Sequence, residues 1–253
     1  MRVPQLSMSL RRRLSDRRRR ARPFGADFVE DVRTLFWHRP PEIILDIGAN
    51  VGRESERWHR GFPRARIHAF EPVPDTFARL AKRFAAHPHI TTWNLAVGDT
   101  AGRLPMRIFS AGETNSLLPM SPNASEFVGR DGVVERGIVE IEVTTVDRFA
   151  AAHQIDAIDV LKSDTQGYEL HVLRGAADLI ARGRIGALVL ELNFVPHYDG
   201  QALFPEVYEH LNARGFRLVG LYQPSRNRVY ALNWCDALFI NPDYVAPRIY
   251  PAS

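Results

Sequence analysis

The first residues with readable chemistry are Asp46-Ile47-Gly48-Ala49-Asn50-Val51-Gly52 and, 25 positions after Asp46, Glu71. Gly48 and Gly52 follow a short apolar run, where a nucleotide-binding fold turns its backbone toward a ligand. The second glycine of a dinucleotide fingerprint lets a pyrophosphate approach; here that position is Asn50, whose side chain would crowd it. A ligand without phosphates suits the turn better. S-adenosylmethionine is one, an adenosine joined through a sulfonium to an amino acid, needing close approach near Gly48 and polar contacts at both ends. Glu71, in Phe70-Glu71-Pro72, can accept from both ribose hydroxyls, and its charge would repel a 2′-phosphate, which disfavours NADP. In Asn94-Leu95-Ala96-Val97-Gly98-Asp99, Asn94 or the backbone near Ala96 is expected at the adenine edge, with a turn cap as the other reading of Asn94.

These residues need elements to hold them. Short apolar runs at Glu42 to Ile47, Arg66 to Phe70, Ile90 to Val97, Asp159 to Ser163, Ala187 to Leu192, Phe216 to Leu221 and Ala237 to Ile240 read as buried strands. Helical periodicity at Asp27 to Phe36, Asp75 to Ala86, Tyr168 to Arg182 and Phe204 to Arg214 separates most of them. The alternation predicts an α/β fold with a doubly wound, mostly parallel sheet and ligands at the strands' carboxyl ends. Residues 100 to 145 break the rhythm with strand-like pieces at Arg103 to Phe109 and Ile138 to Val143. Between them lies a Gly- and Pro-containing stretch expected to be a loop or lid.

With 253 residues, of which 45% are hydrophobic and 25% charged, the composition excludes disorder throughout and a need for disulfides. The single Cys235 lies in an apolar run and reads as a buried, inert thiol. Nine arginines and one acid give residues 1–22 a charge of +8, leaving −4 for the rest. The basic character therefore belongs to the arm and is no sign that the body binds nucleic acid. The expected division is an arm over residues 1–25 and a single domain over 26–253. Neither a signal peptide nor a membrane-spanning run is apparent, so a cytoplasmic location is expected. Leu6, Leu10 and Leu14 would form an apolar stripe flanked by arginine if the arm became helical, as in helices on anionic membranes; a disordered arm is the plainer reading.

The order of motifs resembles the FkbM family of S-adenosylmethionine-dependent methyltransferases. Its marks are Leu45-Asp46-Ile47-Gly48-Ala49-Asn50-Val51-Gly52, Phe70-Glu71-Pro72, Ala96-Val97-Gly98-Asp99 and Asn115-Ser116-Leu117-Leu118, then Leu161-Lys162-Ser163-Asp164-Thr165-Gln166-Gly167-Tyr168-Glu169 with Val172-Leu173-Arg174-Gly175-Ala176, and Leu190-Glu191-Leu192. The resemblance spans roughly residues 42 to 240 and departs at Ser163 and Gln166, where the family more often has an apolar residue and a glutamate. It implies a Rossmann-like class I methyltransferase fold and methylation of a hydroxyl on a sugar, glycolipid or secondary metabolite. Asp46, Gly48, Asn50, Gly52, Glu71, Asn94 and Ala96 are expected around the cofactor.

Methyl transfer from a sulfonium requires an aligned acceptor oxygen and a base, or a metal, to take its proton. Asp164 and Lys162, Glu191, and His197 in the following loop are the candidates, with a Lys162–Asp164 salt bridge as the structural alternative. Strand-end oxygens of Asp164, Glu191 and Asn193 could cradle Mg²⁺. Ser116 and Tyr198 are expected to touch a sugar, Tyr168 to pack at the start of its helix, and Glu169 to complement a helix dipole. Two other readings are a non-catalytic cofactor-binding or tethering module using the arm, and an NAD-dependent oxidoreductase.

Overall fold

The computed structural model describes residues 23–122, 124 and 133–249; the arginine-rich arm, with its Leu6, Leu10 and Leu14 stripe, lies outside them. Strands β1 (Ile43–Ile47), β2 (Arg66–Phe70), β3 (Ile90–Trp93), β7 (Ile158–Ser163), β8 (Ile185–Asn193), β9 (Arg217–Arg226) and β10 (Leu232–Ile240) form one sheet in the order β3-β2-β1-β7-β8-β10-β9. The first five of these run parallel, and β10 is antiparallel to both β8 and β9. The doubly wound, mostly parallel sheet expected from the sequence is present, closed on one side by a hairpin.

Each central strand is apolar on both faces because helices cover both. Ile43, Leu45 and Ile47 of β1 face a core with Leu161, Leu188 and Leu190 under helices α4 (Val146–Ala152), α5 (Glu169–Arg174), α6 (Ala177–Ala181) and α7 (Phe204–Asn212). Ile44 faces the other way, with Val160, Ala187 and Val189, under α1 (Phe28–Leu35), α2 (Arg53–Gly61), α3 (Pro74–Phe84) and α8 (Pro242–Ile249). Asp27 caps α1, its Oδ1 accepting from Val29 N at 3.0 Å. Cys235 is fully buried, and burial with Asp236 and Glu191 nearby pushes its thiol up to about 12, so it is inert as expected.

The helix expected over Tyr168 to Arg182 arrives as α5 and α6. Gly175 interrupts it because a Cβ there would lie 2.0 Å from the Gly98 carbonyl oxygen, a backbone contact only glycine permits. The run 90–97 also divides: β3 joins the main sheet, while β4 (Ala96–Val97) leaves it for a second, three-stranded sheet in the order β4-β6-β5, with β5 (Gly102–Phe109) and β6 (Glu135–Thr144) antiparallel. This small sheet packs Met106, Ile141 and Val143 against Val73 and Ala96. The excursion between its long strands is tied at its neck, where Ser110 N donates to Val134 O at 2.9 Å and Val134 N to Ser110 Oγ at 3.1 Å.

Candidate functional site

The carboxyl ends of β1, β2, β7 and β8 and the small sheet enclose a cavity of about 580 Å³. Gly48, Asn50, Glu71, Ala96, Lys162, Asp164 and Glu191 all line it. At one end lies the turn after β1, folded onto β2 through its own backbone. Gly48 N and Ala49 N both donate to Phe70 O, at 3.1 and 2.8 Å, Gly52 N donates to Ala49 O, and Asn50 N donates to Glu71 Oε2 at 3.0 Å. The amides that would cradle a phosphate are thus consumed inside the protein. That consumption argues against a dinucleotide. Both Gly48 (φ +78°) and Asn50 (φ +49°) adopt the left-handed region, and a Cβ on Gly48 would come within 1.9 Å of the Asp164 backbone oxygen. Asp164 N in turn donates to Ile47 O at 3.0 Å, so this turn and the one after β7 touch along their backbones.

Glu71 is held by Asn50 N on Oε2 and by Val73 N on Oε1 at 2.9 Å. Burial pushes its carboxyl up to about 7 against those two bonds. Asn94, exposed and off the cavity wall, donates through Nδ2 to Glu71 O and Pro72 O at 2.9 Å, which is the turn-cap role. Asp46 is fully buried beneath the cavity, accepting from Ser55 Oγ of α2 and lying 3.8 Å from Lys162 Nζ. Gly52 precedes α2 at φ +84°, where a Cβ would meet Phe84 at 2.3 Å; it admits α3 rather than a ligand. Neither Asp46 nor Gly52 lines the cavity.

At the opposite end, side chains from several strands meet. Lys162 Nζ lies 3.3 Å from Asp164 Oδ2, the ion pair foreseen as an alternative, yet Asp164 also opens to the cavity with a third of its side chain exposed. Glu191 is the one residue of β8 that is only partly buried, and Gln166 Nε2 bridges it to Asp164, 3.1 Å from Glu191 Oε1 and 2.9 Å from Asp164 Oδ1. Asp236, opposite Glu191 in the β8–β10 register, and Glu54 of α2 join Asp46, Asp164 and Glu191 around a single ammonium. Burial lifts Glu191 well above its ordinary range, with Asp164, Glu169 and Asp236 adding to it and Lys162 opposing. Burial likewise lifts Asp236, to about 6. For Lys162, burial alone would favour the neutral amine, but Asp164 and Asp46 outweigh it and hold the ammonium charged.

Gln166, at φ +55°, is the hinge pin of this end. Ser116 Oγ donates to its carbonyl at 2.8 Å, and Tyr198 Oη lies 3.1 Å from its Oε1 and 2.9 Å from Thr114 O. Ser116 and Tyr198 are therefore buried behind the wall, fixing Gln166 instead of presenting themselves to an acceptor as expected. His197 is 2% exposed and does not line the cavity; its backbone N–H donates to Gln201 Oε1. Tyr168 does line it, stacked on His171 with ring centroids 4.0 Å apart. Glu169 accepts from Thr165 N at 2.7 Å and Thr165 Oγ1 at 3.0 Å, stitching the loop after β7.

The Mg²⁺ cradle does not fit. The facing oxygens of Asp164 and Glu191 already receive an ammonium and an amide, Asn193 is buried off the cavity wall, and among the described residues no three acidic, histidine or cysteine side chains are grouped to hold a metal. Sequence reading also missed Arg53 and Glu54 in the first turn of α2, Thr76 and Arg79 one helical turn apart on α3, and Trp234, all on the wall. The α3 pair carries an i, i+3 signal. Trp234 carries none, because only the antiparallel register sets it opposite Asn193.

Comparison with known proteins adds to this geometry. The model of the methyltransferase FkbM domain matches residues 46–218. The 2-O-methyltransferase NoeI of Sinorhizobium fredii is 25% identical over 198 residues, covering 72% of this chain and 79% of NoeI. The 31-O-demethyl-FK506 methyltransferase FkbM of Streptomyces tacrolimicus is 25% identical over 216 residues, covering 74% and 76%. The hexuronic acid methyltransferase AglP of Haloferax volcanii is 24% identical over 139 residues, covering 55% of this chain and 52% of AglP.

Proposed function

The chain belongs to the FkbM family of S-adenosylmethionine-dependent methyltransferases, and on that premise we propose that it methylates a hydroxyl oxygen of a sugar, glycolipid or related metabolite. One observation carries the reading: a single cavity has at one end a turn with its amides turned inward beside a preset carboxylate, Glu71, and at the other a bridged carboxylate pair, Asp164 and Glu191. NoeI and FkbM are both named for O-methylation, and AglP for a sugar acid.

In this reading Glu71 accepts from the ribose hydroxyls, while Gly48, Asn50 and Ala96 shape the cofactor's place. The bound cofactor supplies an electrophilic methyl group. Asp164, the more open carboxylate, takes the proton of the acceptor hydroxyl as that oxygen attacks, and Gln166 fixes its direction. Lys162 balances the charge on Asp164 before the proton arrives, and Glu191 closes the far side. No metal takes part. No helix among the described residues is long and apolar enough to cross a membrane, and we assign the arm over residues 1–22 a peripheral role on anionic surfaces.

Calorimetric titration with S-adenosylmethionine, with NAD in parallel, tests the cofactor end. Binding of the first and not the second is expected, with affinity reduced about 30-fold in Glu71→Ala, a loss of about 2 kcal/mol and so the order of one charge-assisted hydrogen bond. An acceptor screen in the presence of EDTA then tests the chemistry, and turnover that needed added Mg²⁺ would overturn the metal-free assignment.

A further inference from the structure

The tip of the β9–β10 hairpin is built to meet something outside the protein. Val229 and Tyr230 are 78% and 79% exposed, the two most exposed large apolar side chains among the described residues. They are not loose. Asn227 Oδ1 accepts from Val229 N at 3.0 Å and Ala231 N at 2.9 Å, Asn227 N donates to Ala231 O, and Arg226 Nη1 donates to Tyr230 O at 2.8 Å. Tyr230 is held at φ +64°, a conformation that costs a bulky residue about 1–2 kcal/mol and that the surrounding bonds impose.

Charge and position narrow the partner. From Gln223 to Cys235 there is no acid, while Arg226 and Arg228 immediately precede the apolar pair, on a body that is net negative over residues 23–253. An aromatic and an aliphatic side chain next to two arginines match a bilayer interface, where the apolar groups enter the headgroup layer and the guanidinium groups meet lipid phosphate. Trp234, three residues past Ala231, lines the cavity opposite the last residue of β8. The tip therefore projects beyond the carboxyl edge of the parallel strands, on the rim where the cavity lies.

We propose that the Arg226–Tyr230 tip is a membrane-contact finger that seats the rim of the cavity on an anionic bilayer, so that the acceptor hydroxyl is presented by a lipid-linked headgroup. The acceptor half of this statement rests on the methyltransferase reading; the docking half does not.

The test labels the full-length protein at Val229→Cys with an environment-sensitive fluorophore, Cys235 being buried and unreactive. With vesicles of phosphatidylcholine containing about 30% phosphatidylglycerol, the probe is expected to shift to the blue and brighten; with pure phosphatidylcholine it should not, and high salt should reverse the change. The unlabelled Val229→Asp/Tyr230→Asp protein should partition about tenfold or more weakly, while binding S-adenosylmethionine like the wild type, which shows that it is folded. The arm alone could hold the protein on vesicles, so the probe's own response decides. A probe that stays in water while the protein sediments with vesicles overturns the proposal. So does a response to raised protein concentration without lipid, which would make the tip a protein contact. Failure of S-adenosylmethionine binding with a normal probe response would instead overturn the enzyme reading alone.

Discussion

The two ends of the cavity are made differently. The end we assign to the cofactor is backbone: residues 48, 49, 50 and 52 spend their amides on carbonyls and on Glu71 within one βαβ unit. The end we assign to the acceptor is side chain: Lys162 from β7, Asp164 and Gln166 from the loop behind it, Glu191 from β8 and Asp236 from β10 are joined by hydrogen bonds and unbalanced charge. Backbone geometry tolerates few sequences and fixes one ligand shape. A side-chain cluster can be retuned residue by residue, which suits an end that must match different acceptors.

The largest effect should come from the one point where both ends touch. Gly48→Ala would place a methyl group against the Asp164 carbonyl at a positive φ, and is expected to destabilise the fold by about 3 kcal/mol or more and to abolish cofactor binding. A thermal melt like that of the wild type would show that the two ends are independent. Next, Asp164→Asn should lower turnover by about 10²- to 10⁴-fold, with the S-adenosylmethionine Kd within about threefold of normal; equal losses in both would erase the division of labour. Gln166→Glu sets a third carboxylate against Asp164 and Glu191. The added negative charge raises their proton affinity, so the acid limb of the pH–rate profile should move to higher pH and turnover near neutrality fall about tenfold. The smallest effect is the titration of Glu71. With its carboxyl pushed up to about 7, protonation below neutrality removes an acceptor for the ribose, so cofactor affinity should fall about fivefold from pH ~8 to ~6. In Glu71→Gln the slope should vanish.

The same contrast explains what the sequence revealed. The place of Gly48, Asn50 and Glu71 on the cavity wall was legible because it depends on local turns at fixed spacing after apolar runs. The five parallel strands were legible for a similar reason, being short buried runs between periodic helices. Ser116 and Tyr198 were assigned to an acceptor, yet they meet at Gln166 from segments 82 residues apart, and nothing local records that meeting. Asp236 and Trp234 depend on an antiparallel register that the run Ala237 to Ile240 did not disclose. The single helix expected after Tyr168 failed at Gly175, where a contact with Gly98 overrode periodicity.

The tied neck at Ser110 and Val134 has an evolutionary corollary. Because the two ends of the excursion are clamped to each other and to their own small sheet, the part of it that follows the bonds of Ser116 to Gln166 and of Ser121 to His197 can be lengthened, shortened or exchanged at little cost, each doubling of length adding only about 0.6 kcal/mol of closure entropy. Specificity for a new acceptor could then arise by recombination of one cassette, leaving the rest of the enzyme to be inherited unchanged.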